Sequence, residues 1–179
     1  GFDIIMQLLT SEEPVTFKNE RWDLREAKLH LRPYSNPLFQ CAVAAVASPS
    51  GPRLAGKHGV GLLSLGATQA AGFDALAMHW DVMEQRAAQF GTLADRAQWR
   101  LVGLMHCAET RDQARAQVAY GIESWFRYFQ SIAGLPHMDP QGDEVNEMID
   151  YVIDSGLGAI GTADDCKEQI DKLVTQSNG

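Results

Sequence analysis

The stretch from Ala44 to Gly66 (AAVASPSGPRLAGKHGVGLLSLG) holds the residues best placed for chemistry. An apolar run ends in the small residues Ala47-Ser48-Pro49-Ser50-Gly51 and passes into a helical pattern. Such a turn offers unpaired backbone N–H groups and the positive end of a helix dipole, which together favour a phosphate. Small side chains let the backbone approach an anion closely, and Ser48 and Ser50 add hydroxyl donors. Composition alone does not separate this from an ordinary strand-to-helix connection. The run Gly51-Pro52-Arg53-Leu54-Ala55-Gly56-Lys57-His58 nearly spells the P-loop pattern GxxxxGK[ST]. His58 cannot replace the hydroxyl that holds magnesium, Pro52 removes a backbone donor, and the glycines fall inside the predicted helix. Gly59-Val60-Gly61 lacks the third glycine of a dinucleotide fingerprint.

Elsewhere the chemistry-bearing residues are scattered. His30, His58, His79, His106 and His137 form neither HxH nor HExxH, so no metal site is legible. His106, near the end of a predicted strand, reads as a structural histidine or as one facing a site. His79, beside Trp80 in a long helix, reads as a packing or partner contact. No GxSxG elbow is present. Cys41, Cys107 and Cys166 are odd in number and lack a CxxC, which disfavours a disulfide framework or a cysteine zinc site and fits a reducing cytoplasm. Trp125, Phe126, Tyr128 and Phe129 surround a helix on more than one face, as core residues do or as residues shared between a core and a subunit interface. Asp143, Glu144 and Glu147 sit where a helix dipole accounts for them.

Composition narrows the classes. The 179 residues are 45% hydrophobic and 21% charged, the profile of one folded domain or a large piece of a bigger one. A net charge of −8 argues against nucleic acid as a partner, since phosphate backbones need a basic face. No apolar run reaches the roughly 20 residues that span a bilayer. No basic start precedes an apolar block, so neither a membrane partner nor a signal peptide is expected.

The elements that must carry the turn follow from periodicity. Apolar residues at 2, 5, 6 and 9 predict a first helix, and Val15–Phe17 with Trp22–Leu24 predict a small hairpin at about 15–24. Arg32–Pro37 reads as an extended connector. Gln40–Val46 predicts a strand buried on both faces, followed by a short helix over Pro52–His58 with proline first and Gly59 as its cap. Val60–Leu65 is a second buried strand, Gln69–Phe90 a long helix, and Trp99–Cys107 a third strand. Thr110 caps a helix running to about Ile132, with Ala114, Val118, Ile122, Trp125 and Phe129 on one face. After a loop at 134–142, Asp143–Ser155 is helical, Ala159–Gly161 is extended, and Thr162 caps the last helix. Buried strands alternating with helices predict a parallel α/β sheet with right-handed crossovers.

The segments GFDIIMQLLTSEEPVTFKNERWDL, LRPYSNPLFQCAVAAVASPSGPRLAGKHGVGLLSLG and GAIGTADDCKEQIDKLVTQSNG resemble the bacterial luciferase-like flavin monooxygenase family, its limonene-monooxygenase-like branch above all. The resemblance covers nearly the whole chain, and the Ala-Ser-Pro-Ser-Gly turn is its most specific part. It implies a (β/α)8 TIM barrel that binds reduced flavin mononucleotide (FMN) and uses oxygen to oxygenate a small apolar substrate. In the family, the turn after the fifth strand holds the flavin phosphate, a role that carries over to Ala47, Ser48 and Gly51 with Val46 beside them. The end of the next strand passes near the flavin ring, which points to Ser64, Leu65 and Gly66. Gly51 departs from members with a hydroxyl residue there, leaving only a backbone contact.

The family's barrel is about twice this long, so residues 1–179 are expected to form its C-terminal half, roughly the fifth to seventh strands with their helices. An uncapped first helix and a last helix stopping at Ser177–Gly179 fit a segment with neighbours beyond both ends, or simply trimmed termini. The family's catalytic histidine would lie in the missing strands, so no catalytic residue is assigned and the segment alone is expected to be inactive. A half-barrel leaves edges unpaired and apolar faces bare. The partners implied are therefore the missing N-terminal half or a second copy, together with the flavin, the substrate and, where reduced flavin is delivered, a flavin reductase. Two other readings stay open: a non-catalytic half-barrel that serves assembly, and a nucleotide-binding domain on the near P-loop.

Overall fold

The computed structural model describes residues 1–65, 70–133, 140, 142 and 144–179. The chain divides into two compact units, Gly1–Cys41 and Ala42–Gly179. In the first, α1 (Phe2–Thr10) precedes β1 (Val15–Lys18) and β2 (Asp23–Ala27), which pair antiparallel as a hairpin. The side-chain oxygen of Asn19 accepts from the amides of Arg21 and Trp22 at 2.9 and 2.8 Å, the local bonding that suits asparagine to turns. Of the expected face of α1, Phe2, Met6 and Leu9 are half-buried but Ile5 is exposed, and Ile4 beside it is buried instead. Apolar residues fill two adjacent stripes of this helix, so periodicity could not choose between them, and the contact of α1 with β1 does.

In the second unit, strands and helices alternate. β3 (Ala42–Ala45), α2 (Ser50–His58), β4 (Gly61–Ser64), α3 (Ala70–Phe90) and β5 (Trp99–Leu101) build a three-stranded parallel sheet in the order β3-β4-β5. β6 (Leu104–Cys107), α4 (Arg111–Val118), α5 (Ile122–Ala133), α6 (Val145–Asp154), β7 (Gly158–Gly161) and α7 (Ala163–Gln176) follow, with β6 and β7 paired in parallel. The α/β class with parallel strands is as the sequence predicts.

Four details depart from the prediction. β3 is not buried on both faces: Ala42 and Ala44 are exposed and only Ala45 is buried, because β3 is the end strand of its sheet and only one face is covered. α2 begins two residues early, so Pro49 is the N-cap and Pro52 the third helical residue; the first-turn amides have no intrahelical acceptor, and a proline there loses nothing. The single strand expected over 99–107 is two strands serving two sheets, parted at Val102-Gly103, where a glycine weakens a continuous ladder. The helix expected over 110–132 breaks at 119–121 beside Gly121, yet its stripe survives. Ala114 and Ile122 are buried in one core with Phe126, Met148, Ile149, Val152, Leu157 and Ile160, and Val118, Trp125 and Phe129 pack against it.

Around α2 and α3 lies a second buried group: Ala55, Leu62, Leu76, Trp80, Met83 and Ala87. A Cβ on Gly56 would stand 2.3 Å from the Met83 carbonyl oxygen, so the glycine lets α2 and α3 approach backbone to backbone. The expected loop at 134–142 lies mostly outside the described residues, as do Gln69, His137 and Asp143. No helix among the described residues is long and apolar enough to cross a membrane.

Candidate functional site

The turn from Val46 to Pro49 leaves β3 level with the ends of its neighbours. The Leu65 amide donates to the Ala45 carbonyl at 2.8 Å and the Val102 amide to the Ser64 carbonyl at 3.0 Å, so three strand ends are tied together beneath it. Val46, Ala47, Ser48 and Ser50 are all exposed, and the Ser48 and Ser50 hydroxyls share a hydrogen bond of 2.6 Å. No side chain caps α2, and no acidic residue stands in its first turn. The Arg53 amide is taken by the Pro49 carbonyl at 3.1 Å and Pro52 has none to give. Ser50 and Gly51 thus head a nine-residue helix with amides that its own geometry leaves without acceptors.

Gly51 is fixed by packing. A Cβ there would fall 2.6 Å from Ala45 Cβ and 3.0 Å from the Ala44 carbonyl oxygen, so the start of α2 lies directly on the end of β3. Position 51 can offer an amide and nothing more. The donor set at this turn, two hydroxyls and open amides with no carboxylate, fits a phosphate.

Ser64 needs a correction. It is fully buried, so it does not line the turn's open side. Strand residues alternate between faces; Leu62 and Ser64 point into the helix layer, which leaves Leu63 and Leu65 for the other face. The Ser64 hydroxyl accepts from Trp99 Nε1–H at 2.9 Å and lies 3.4 Å from His79 Nδ1. His79 is also fully buried. Burial pushes its pKa below the ordinary histidine range, opposed by the nearby Ala47 and Ser48 main-chain groups. Trp99 stacks on Trp80 with ring centroids 5.4 Å apart, and the Arg96 guanidinium lies over both rings. Leu65 is exposed at the end of β4, while Gly66 lies outside the described residues.

The polar layer under the turn was missed in the sequence. Its signal was a histidine within the buried stripe of a helix, flanked at helical spacing by Leu76, Met83 and Ala87. The remaining candidates fall away. His106 Nε2 is bonded to Gln117 Oε1 at 2.8 Å, a structural pairing. Residues 51–58 are helical, so the near P-loop has no loop to cradle a nucleotide. Among the described residues no group of three His, Cys, Asp or Glu side chains is placed to hold a metal. A cavity of about 540 Å³ beside β7 is lined by Arg111, Arg115, Asp150 and Asp165, which pair with one another at 2.6 and 2.7 Å instead of facing a ligand.

Comparison with known proteins bears on what this turn serves. Residues 2–177 match the family model of the luciferase-like monooxygenases. The chain belongs to the luciferase-like monooxygenase family. Over its whole length it is 45% identical to limonene 1,2-monooxygenase of Rhodococcus erythropolis, of which it covers 45%. Among solved structures it is similar to the monooxygenase RslO1 of Streptomyces bottropensis, with a TM-score of 0.73 at 16% identity over 98% of this chain and 49% of that one. It is also similar to the oxygenating constituent of 3,6-diketocamphane monooxygenase of Pseudomonas putida, solved in complex with FMN, with a TM-score of 0.65 at 24% identity over 98% of this chain and 52% of that one. The chain spans about half the length of the curated relatives it matches.

Proposed function

We propose that this chain contributes the flavin-phosphate seat and one wall of a flavin-dependent monooxygenase that oxygenates a small apolar substrate, and that it forms part of a (β/α)8 barrel. The observation that carries the reading is the uncapped start of α2, where Ser48 and Ser50 hydroxyls stand beside the Ser50 and Gly51 amides on an exposed turn. When bound, reduced FMN supplies the electrons with which oxygen is activated. The chain's own part is to bind and to exclude water. Ser48 and the first amides of α2 take the phosphate, Gly51 keeps the helix close enough to do so, and Val46, Leu63 and Leu65 present apolar surface from the open strand face. No residue of this chain is assigned a proton-transfer role.

The bare strand face also supports the family's remaining strands, or a second copy, as cover. A flavin reductase would be the source of reduced flavin. Ser48→Asp sets a carboxylate against the phosphate and is expected to abolish FMN binding in a flavin-fluorescence titration. Unchanged affinity would reject the seat. The competing reading, a non-catalytic assembly module, rests on the exposure of Val46, Leu65, Val102 and Met105. It requires that FMN cause no quenching in the wild-type chain.

A further inference from the structure

His79 is a buried polar side chain to which the proposed function gives no task. Its polar neighbour is the Ser64 hydroxyl. An indole N–H can only donate, so Trp99 uses one lone pair of the Ser64 oxygen and leaves the Ser64 proton free. That proton can be given to His79 Nδ1, 3.4 Å away. In the tautomer where Nδ1 accepts that proton, Nε2 carries the ring hydrogen.

Nε2 itself is buried and has no hydrogen-bond partner among the described residues. A buried donor left in that state is costly and calls for an acceptor. The register answers where one lies. Ser64 pairs with Ala45 across β4 and β3, so a ring held by Ser64 lies beside the last residue of β3, two residues before Ala47. The main-chain groups of Ala47 and Ser48 are close enough to act on the charge of His79, although neither carbonyl is in bonding geometry to Nε2.

We propose that His79 is a positioning residue for the turn, its Nε2–H drawing the Ala47 carbonyl inward when an anion seats on the opposite side. The consequence follows from peptide geometry. In a trans peptide the carbonyl and the following N–H point in opposite directions. A carbonyl of Ala47 turned down to His79 turns the Ser48 amide up, next to the Ser48 hydroxyl. The Ser48–Pro49 peptide has no N–H, so the orientation of the Ala47–Ser48 peptide decides whether the turn presents an amide at Ser48. His79, Ser64 and Trp99 thereby act on the ligand through the backbone and touch none of it. This inference rests on the phosphate seat proposed above.

The test uses the phosphate as its own control. FMN and riboflavin share a ring system and differ in the phosphate, so a residue acting through the seat changes the ratio of their affinities and a merely structural one does not. Wild type, H79L, H79N and H79Q of the full chain are titrated with both flavins, with circular dichroism checking that each is folded. H79Q keeps an amide donor near the Nε2 position, whereas H79N keeps one only near Nδ1. Expected is a loss of about tenfold in FMN affinity for H79L and H79N, the cost of about one hydrogen bond, with riboflavin affinity unchanged and the wild-type ratio retained by H79Q. Should H79L fail to fold, H79N against H79Q decides. An unchanged ratio in H79N, or equal losses in H79N and H79Q, overturns the role of Nε2 while leaving the seat intact. A wild-type chain that holds FMN no better than riboflavin removes the seat, and this inference with it.

Discussion

Gly51 has no room for a side chain, and that shapes what the turn can be. Gly51→Val would push into Ala45 and the β3 backbone. Overpacking of this kind costs about 1–3 kcal/mol, so urea unfolding should show a lowered midpoint, and FMN binding should weaken as the start of α2 lifts from β3. Asp165 illustrates a different residue-scale effect. The Arg111 guanidinium, then the Thr162 amide and hydroxyl, hold its carboxyl well below the usual carboxylate range. Its ionisation therefore favours the folded state at neutral pH, and that stabilisation is lost as pH falls below the unfolded value of about 3.9. R111Q should be less stable than wild type at pH 7, with the gap narrowing in urea titrations below about pH 4. A gap independent of pH would refute the pairing. At this scale the sequence was half legible. Ser48, Ser50 and Gly51 announced a turn by their sizes, but the direction of Ser64 did not show. Leucines occupy both faces of β4, at Leu62, Leu63 and Leu65, so period-two alternation is silent about which face meets the helices.

Helix caps are where local chemistry spoke most clearly. Thr110 accepts from the Gln113 amide, and Thr162 forms a reciprocal box with Asp165, both as their place before an apolar pattern suggests. Thr162→Ala should cost about 0.5–2 kcal/mol and lower the melting temperature, since it removes an acceptor for the Asp165 amide at the start of α7. The breaks between elements were not legible. Trp99–Cys107 reads as one strand despite Arg100, Gly103 and His106, and pairing with β4 on one side and β7 on the other is what divides it at Val102-Gly103. The α4–α5 break hides for a related reason. The stripe through Ala114, Ile122 and Phe126 is continuous, so the hydrophobic pattern carries across a gap that the backbone does not.

At the scale of the molecule, the family and the α/β class were legible because they rest on long patterns, and the expectation of bare apolar faces came with the family, whereas which residues would be bare was not legible. Val46, Leu65, Val102 and Met105 are exposed at or beside strand ends. Each is a little over 40% exposed, so burying the remainder is worth roughly 1 kcal/mol apiece, under half of the value for a whole side chain. Self-association is the expected outcome: sedimentation should give a mass above that of one chain, and the double substitution V102D with M105D should restore the monomer mass. A wild-type chain that is monomeric at high concentration would mean that the face is tolerated bare. The stack of Trp80 on Trp99 adds an optical handle. The Trp99 indole hydrogen is tethered to the same hydroxyl that contacts His79. If the turn is the seat proposed above, an event there that tightens or frees that hydroxyl alters the polarity felt by the indole, and with Trp22 and Trp125 replaced by Phe the ultraviolet emission of this pair would gauge occupancy.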